Sequence, residues 1–319
     1  MILVTGASGF VGGAVVKNLL KNGKNSVAVA TRQSGKHWPT NVIENVVSEL
    51  APTTDWSSAL SEIDVVVHCA ARVHVMHEQE QDSLGEYRRA NVEGTLTLAR
   101  QAASAGVRRF VFLSSIKVNG EMTDLNQPYT ADDKPAPIDP YGISKYEAEQ
   151  GLLKLANQTG MEVVIIRPPL VYGPGVKANF QSMMNWLSKG IPLPFGAIHN
   201  KRSLVSLDNL VDLIIISTEH PAAANQIFLV SDGDDMSTTC LLKRTAVALD
   251  KRAKLIPVPQ AILKLGMKIL KMNHLSQRLL GSLQVDIAKT HDKLGWVPPV
   301  SVDEGLRKTA DSFLLALRR

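Results

Sequence analysis

Met1-Ile2-Leu3-Val4-Thr5-Gly6-Ala7-Ser8-Gly9-Phe10-Val11-Gly12 opens the chain and decides how the rest is read. An apolar, β-branched run ends in glycines spaced GxxGxxG. Val11, Val15 and Leu19 then recur at i, i+4 and i+8, the stripe of a helix. Strand, glycine turn and helix in that order suit a βα unit whose turn faces a pyrophosphate. Gly6 would make the tight turn, Gly9 would let backbone approach phosphate, and Gly12 would let helix pack closely on strand. Residues 26–30, 64–69, 110–114 and 163–167 repeat the apolar texture and read as strands buried on both faces, with helical patterns over 84–105 and 141–158. Such alternation predicts an α/β fold on a doubly wound parallel sheet. Residues 124–140 hold Pro128, Pro135, Pro137 and Pro140, a loop ending where the Tyr141 helix begins.

Beyond Arg167 the texture changes: Pro168-Pro169, Gly173-Pro174-Gly175 and 190–196 punctuate a loop-rich stretch, 227–231 reads as a further strand, and the remainder is mostly helical. We expect a dinucleotide-binding part, 1–170, and a smaller substrate-binding part, 171–319, with segments near 203–231 returning to the first sheet.

Composition narrows the class. At 319 residues, 45% hydrophobic and 20% charged, the chain can bury an ample core. No apolar run reaches the roughly 18 residues of a membrane span. The chain enters its glycine motif directly, without a basic leader, so no signal peptide is expected. Cys69 and Cys240 alone cannot build a disulfide framework, and a reducing, cytoplasmic setting is expected. The net charge of +5 is read as scattered over the surface, which does not suggest a nucleic-acid binder. Lys264, Lys268, Lys271 and Arg278 lie among Ile, Leu and Met over 261–280, read as a surface helix rather than a membrane contact. His68, Cys69, His74 and His77 lack the spacing of a zinc motif, so no metal is expected.

The end of the second strand bears on the cofactor. NAD-binding folds usually place a carboxylate there for the ribose 2′-hydroxyl. Here Thr31-Arg32 follows, and no Asp or Glu occurs between Val27 and Val42. Arg32 suits a 2′-phosphate, held by charge-assisted bonds. NADP(H) is therefore favoured, with NAD(H) left open and a plain surface arginine as the alternative. Further on, Ser114-Ser115 close a strand, and Tyr141 and Lys145 follow at i, i+4 on one helix face. An ammonium beside a phenol stabilises phenolate, so Lys145, together with other favourable terms such as a positive oxidised nicotinamide, is expected to draw the Tyr141 pKa down. A strand-end hydroxyl can hold the same substrate oxygen.

In these motifs the chain resembles the extended short-chain dehydrogenase/reductase family, in its nucleotide-sugar branch. The resemblance rests on the Thr5–Gly12 segment, His68-Cys69-Ala70-Ala71, Asn91-Val92-Glu93-Gly94-Thr95, Ser114-Ser115, Tyr141 with Lys145, and Arg167-Pro168-Pro169-Leu170-Val171-Tyr172-Gly173-Pro174. It implies a Rossmann sheet, Tyr141 as general acid/base, Lys145 as its modulator and a ribose ligand, and Ser115 as hydroxyl partner. It implies cofactor contacts from Gly6, Ser8, Gly9, Phe10, Val11, Gly12, Thr31, Arg32, Glu49, Leu50, Ala70, Ala71, Arg72, Asn91, Leu113, Ser114, Pro168 and Val171. Glu49 stands where that family usually has Asp. For a UDP-sugar it implies Asn179 and Arg202 at the diphosphate, and His74, Ile116, Lys117 and Asp286 around the sugar. A homodimer packed through the two long helices is implied as well.

Ile116-Lys117 after Ser115 leave no neighbouring carboxylate in sequence, which disfavours the family's dehydratases. The basic Arg32 loop, together with a likeness around His74–Met76 and 115–121 to bacterial UDP-4-keto-6-deoxy-N-acetylglucosamine reductases, favours one reaction. That reaction is NADPH-dependent reduction of the C4 keto group of a UDP-linked 6-deoxy-N-acetylhexosamine, forming UDP-N-acetylquinovosamine for surface polysaccharide. The alternatives are a UDP-glucose or UDP-N-acetylglucosamine 4-epimerase with bound NAD, and a non-catalytic dinucleotide sensor.

Overall fold

The computed structural model describes residues 1–23, 26–34, 38–73, 83–270 and 272–318. Its strands are β1 (Ile2–Thr5), β2 (Val27–Thr31), β3 (Val42–Val46), β4 (Val65–His68), β5 (Arg109–Leu113), β6 (Glu162–Arg167), β7 (Leu170–Tyr172), β8 (Leu204–Ser206) and β9 (Gln226–Leu229). Seven of them form one sheet in the order β3-β2-β1-β4-β5-β6-β9, every neighbouring pair parallel. β7 and β8 pair separately. This is the doubly wound α/β sheet anticipated from the sequence. The strand order reverses between β1 and β4, so the crevice at their carboxyl ends is the topological switch point where such folds receive ligands.

Period-two alternation explains the two covered faces. Ile2, Val4, Val27, Val29, Val65 and Val67 point into one core with the helices α1 (Phe10–Asn22) and α6 (Leu207–Glu219). Leu3, Ala28, Val66, Phe110 and Phe112 point into the other, with α3 (Thr95–Ser104) and α4 (Pro140–Thr159). A third cluster joins Tyr172 of β7 to Phe180 and Met184 of α5 (Ala178–Ser188), Leu242 of α7 (Thr238–Ala248) and Leu306 of α11 (Val302–Leu317). Although it follows residue 171, α6 packs on the first sheet, and β9 extends that sheet beside β6.

Three features differ from the sequence reading. β3 is an edge strand whose Glu44 and Asn45 break the apolar run, so it lacks the signature of a strand buried on both sides. β7 and β8 have three residues each, too short for periodicity to register. The helical pattern over 84–105 is two helices, α2 (Ser83–Tyr87) and α3, joined by a π-helical segment, Arg88–Gly94.

The helix that positions Tyr141 follows from local sequence. Asp139 caps α4 by accepting from Gly142 N at 2.7 Å, Pro140 occupies the first turn where its missing N–H is harmless, and Gly160 ends the helix with φ +76°. On its buried side Glu149 faces Arg167 at the end of β6, the two side chains 0% and 1% exposed and 2.6 Å apart. Breaking a buried pair leaves an uncompensated charge, whereas an exposed pair contributes little. Glu149→Ala is therefore expected to cost roughly 3–5 kcal/mol of unfolding free energy, read from urea midpoints. Glu147→Ala, which removes the exposed partner of Arg88, should cost less than about 1 kcal/mol; equal losses would show that burial does not decide.

Candidate active site

The glycine turn makes a cradle of backbone. Gly6 has φ +65°, and a Cβ there would come within 2.8 Å of Ala70 N and Cys69 C, while one on Gly12 would overlap the Gly6 carbonyl. Gly9 N donates to Gly6 O at 2.8 Å, and Gly9 caps α1 with no side-chain bond. The first N–H groups of α1 therefore end beside exposed Ser8 and Gly9, with Phe10 and Val11 half-buried behind them. Anions are favoured at such a helix start, and the lack of side-chain bulk admits close approach, so the turn fits the pyrophosphate of a dinucleotide. Ala70 and Ala71, half-buried after β4, border it.

At the end of β2, Thr31 is buried and its Oγ1 donates to Glu44 Oε1 at 2.9 Å, and Trp38 Nε1 donates to the same oxygen at 3.0 Å. A carboxylate thus does lie near this strand end, supplied by β3 and engaged by two donors. Arg32 is exposed and makes no ion pair with a described residue. Glu49 pairs with Arg89 at 3.4 Å on the surface, and Leu50 beside it is half-buried.

The end of β5 gathers the proton-handling groups. Leu113 O accepts from Lys145 Nζ at 2.8 Å, and the same ammonium lies 4.4 Å from the Phe112 ring centroid. Ser114 Oγ donates to Glu149 at 2.5 Å. Ser115 caps a short turn, its Oγ accepting from Lys117 N at 3.3 Å, which leaves its O–H free to donate elsewhere. Tyr141 stands edge-on to Tyr87, ring centroids 6.1 Å apart. Burial pushes the Lys145 pKa down to about 8, against the opposing pull of Cys69 and Glu149. Burial also pushes the Tyr141 phenol up, helped by Asp139 and Tyr87. In the protein alone the Lys145 ammonium is directed at the Leu113 carbonyl and burial dominates, so drawing the phenol down requires further positive charge in the crevice.

Carboxylates from other segments meet this turn at Lys117, which pairs with Asp139 and lies 3.6 Å from Glu121. Asp139 is at the same time the α4 cap that holds Gly142 N. Ile116 is buried, and its N–H donates to Pro168 O at 3.0 Å. Val171 is half-buried in β7. Asn91, buried in the π-helical segment, accepts from Arg72 N at 2.8 Å and donates to Arg72 O and Ser144 Oγ, both at 3.0 Å. Its amide therefore latches the β4 loop to α4. Arg72 itself lies 3.6 Å from Glu86.

Toward the C-terminal part, Arg202 Nη1 donates to Gly281 O at 3.1 Å, and burial together with nearby Arg278 lowers its pKa. Neither arginine pairs with a described carboxylate, so two guanidiniums share a spot that suits an anion. Arg278 escaped the sequence reading as a site residue: nothing in its neighbourhood along the chain ties it to Arg202. Asn179 is exposed at the start of α5, and Asp286 accepts from Ala288 N at 2.7 Å, capping the turn into α10 (Ala288–Leu294). His74 and His77 lie outside the described residues. Among the described residues no three His, Cys, Asp or Glu side chains gather as a metal site, and no helix is long and apolar enough to cross a membrane.

The family model for the NAD dependent epimerase/dehydratase family matches residues 2–231. A UDP-glucose 4-epimerase of Vibrio cholerae is 50% identical over 319 residues, covering 100% of this chain and 97% of the relative. The structure of Thermotoga maritima UDP-glucose 4-epimerase with UDP-glucose is similar at a TM-score of 0.76 and 25% identity, over 99% of both chains. RMD from Pseudomonas aeruginosa complexed with NADPH shares the fold, with a TM-score of 0.74 and 22% identity over 98% of each chain.

His68, at the end of β4, supports this crevice from below. Its Nδ1 lies 2.7 Å from Thr5 Oγ1 and its Nε2 3.0 Å from Thr95 Oγ1. Thr5 Oγ1 also accepts from Ala70 N, and a neutral imidazole satisfies both hydroxyls, donating from one ring nitrogen and accepting at the other. Burial, then the Lys145 charge, lowers the His68 pKa to about 3 from 6.5. The unfolded chain takes this proton first on acidification, so the unfolding free energy should fall as pH drops from about 6.5 toward 3. His68→Gln removes that contribution, so its urea midpoint should decline less steeply over this window. Equal slopes would refute a buried neutral imidazole.

Proposed function

The chain belongs to the NAD dependent epimerase/dehydratase family, and from that membership we propose that it is a UDP-sugar 4-epimerase, removing and restoring hydrogen at C4 of a UDP-hexose. The observation that carries this reading is the 50% identity, end to end, with a UDP-glucose 4-epimerase. The part after residue 171 is proposed to hold the UDP moiety, with the diphosphate between Arg202 and Arg278 and with Asn179 beside it.

A bound dinucleotide would rest its pyrophosphate on Gly6, Ser8 and Gly9 and supply the electron acceptor and donor for C4. The chain's own groups handle the proton. Tyr141 takes it from the sugar O4 hydroxyl as the keto sugar forms and returns it on reduction, while the free Ser115 O–H steadies the same oxygen. Lys145, charged below a pH of about 8, offsets the phenolate and is itself aimed by the Leu113 carbonyl. Because burial raises the Tyr141 pKa, the phenolate forms only where other charges compensate it.

One observation favours a second reading, NADPH-dependent reduction of a UDP-4-keto-6-deoxy-N-acetylhexosamine: Arg32 is exposed and free of ion pairs among the described residues, where a 2′-phosphate would sit. The two separate cleanly. Purified protein with UDP-glucose or UDP-N-acetylglucosamine, and no reductant, should yield the C4 epimer. Failure there, together with stoichiometric NADPH oxidation on the 4-keto sugar, would replace the epimerase by the reductase.

Either reaction needs the same proton carrier. Tyr141→Phe should lower turnover by about two to four orders of magnitude while dinucleotide affinity, measured by calorimetry, changes little. Retention of full activity would remove Tyr141 from the mechanism.

A further inference from the structure

One helix of the C-terminal part turns its apolar side outward. α8 (Gln260–Ile269) has no buried residue, and its Ile262, Leu265 and Ile269 are 60%, 61% and 72% exposed. Spaced i, i+3 and i+7, these side chains fall on a single stripe. Leu270 and Met272, 68% and 42% exposed, continue the apolar surface beyond the helix end. The protein is met instead by the partly buried Gln260, Leu263 and Met267, and Gln260 Nε2 donates to Leu280 O at 2.9 Å. Exposed Lys264 and Lys268, one turn apart, flank the stripe.

Charge says what covers this surface. Between 251 and 285 the chain carries seven basic residues, Lys251, Arg252, Lys254, Lys264, Lys268, Lys271 and Arg278, and no Asp or Glu. Of 35 Lys and Arg in the whole chain, 28 lie outside this segment, against 30 Asp and Glu. The whole net positive charge therefore resides in the stretch of sequence that contains α8, whose own exposed Lys264 and Lys268 lie beside the apolar stripe. The complementary surface is anionic and takes up aliphatic side chains, which describes the interface of an anionic lipid bilayer.

We propose that α8 is an in-plane membrane anchor, with Ile262, Leu265 and Ile269 inserted among the acyl chains and Lys264 and Lys268 at lipid phosphates. A second copy of the chain is a poorer occupant. Five such side chains present on the order of 500 Å², short of the roughly 800 Å² per partner of a stable interface. A two-fold contact would also press the lysines of both copies together. α8 packs against α9 (Asn273–Leu280), the helix that carries Arg278.

The test is flotation of the purified full-length chain with vesicles of phosphatidylcholine alone or mixed with phosphatidylglycerol. Binding to the mixed vesicles only, weakened by added salt, is expected. Leu265→Glu with Ile269→Glu, and separately Lys264→Glu with Lys268→Glu, should each lower it by about tenfold or more. These positions are exposed, so circular dichroism should be unchanged. Absence of binding to the mixed vesicles, or binding unaffected by both pairs, would overturn the proposal. A change in mass by light scattering in these variants, without vesicle binding, would mark the face as a protein contact instead.

Discussion

The ion pair between Glu149 and Arg167 holds the candidate site together. Glu149 lies two helical turns beyond Tyr141 on α4, and one carboxylate receives Arg167 Nε at 2.9 Å, Arg167 Nη2 at 2.6 Å and Ser114 Oγ. Arg167 Nη1 reaches on to Asn119 Oδ1 at 2.9 Å. Four elements are thereby locked in register: the helix bearing Tyr141 and Lys145, the end of β5, the end of β6, and the turn after Ser115. Buried ion pairs are weak stabilisers compared with a well-packed apolar core of the same volume. The worth of this one lies in geometry, since it fixes where Ser115 and Pro168 stand relative to Tyr141.

The same burial sets the electrostatics. It pushes the Tyr141 phenol up and the Lys145 ammonium down to about 8, each toward its neutral form. Neither charge is favoured alone in the crevice. The nearby thiol follows the same rule: Cys69 is pushed up to about 12 by burial, and stays protonated and unreactive near neutrality. A proton can leave Tyr141 only when a compensating charge enters or draws closer, which couples proton transfer to the charge state of whatever fills the crevice. The i, i+4 spacing of Tyr and Lys guarantees a shared helix face, but not that the ammonium is directed at the phenol.

Legibility in the sequence followed the kind of constraint involved. β1, β2, β4, β5 and β6 were legible because burial on both faces demands continuous apolar runs, and the glycine turn because close approach excludes every side chain. The start of α4 was legible because Pro140 closes a proline-rich loop and can occupy the first turn of a helix, whereas the Asp139 cap was not singled out. β3 was not, because an edge strand tolerates Glu44 and Asn45. The π-helical segment was invisible too: an extra residue per turn leaves no compositional mark, and only the bonds of Asn91 to Arg72 and Ser144 show what it does. Asp139 beside Lys117, and Arg278 beside Arg202, are meetings of distant segments. No local pattern encodes such meetings.

Net charge shows the same limit from another side. A total of +5 spread over 319 residues reads as an ordinary surface, and so does a pI near 9.1. A total is blind to position. Removing the segment from 251 to 285 would leave the rest of the chain slightly acidic, a surface that weakly repels an anionic bilayer. Where a mildly acidic body carries one basic, apolar-faced helix, an anionic surface attracts the molecule by that helix and repels it elsewhere. Charge then acts as an orienting device and only secondarily as a source of affinity. Affinity must come from the apolar side chains, and these are useful only if α8 keeps its stripe turned outward. The contact that keeps it so is made by the opposite face, through Gln260 and the Leu280 carbonyl. The orientation of one short helix thus follows from which of its two apolar sides the α9 end accepts.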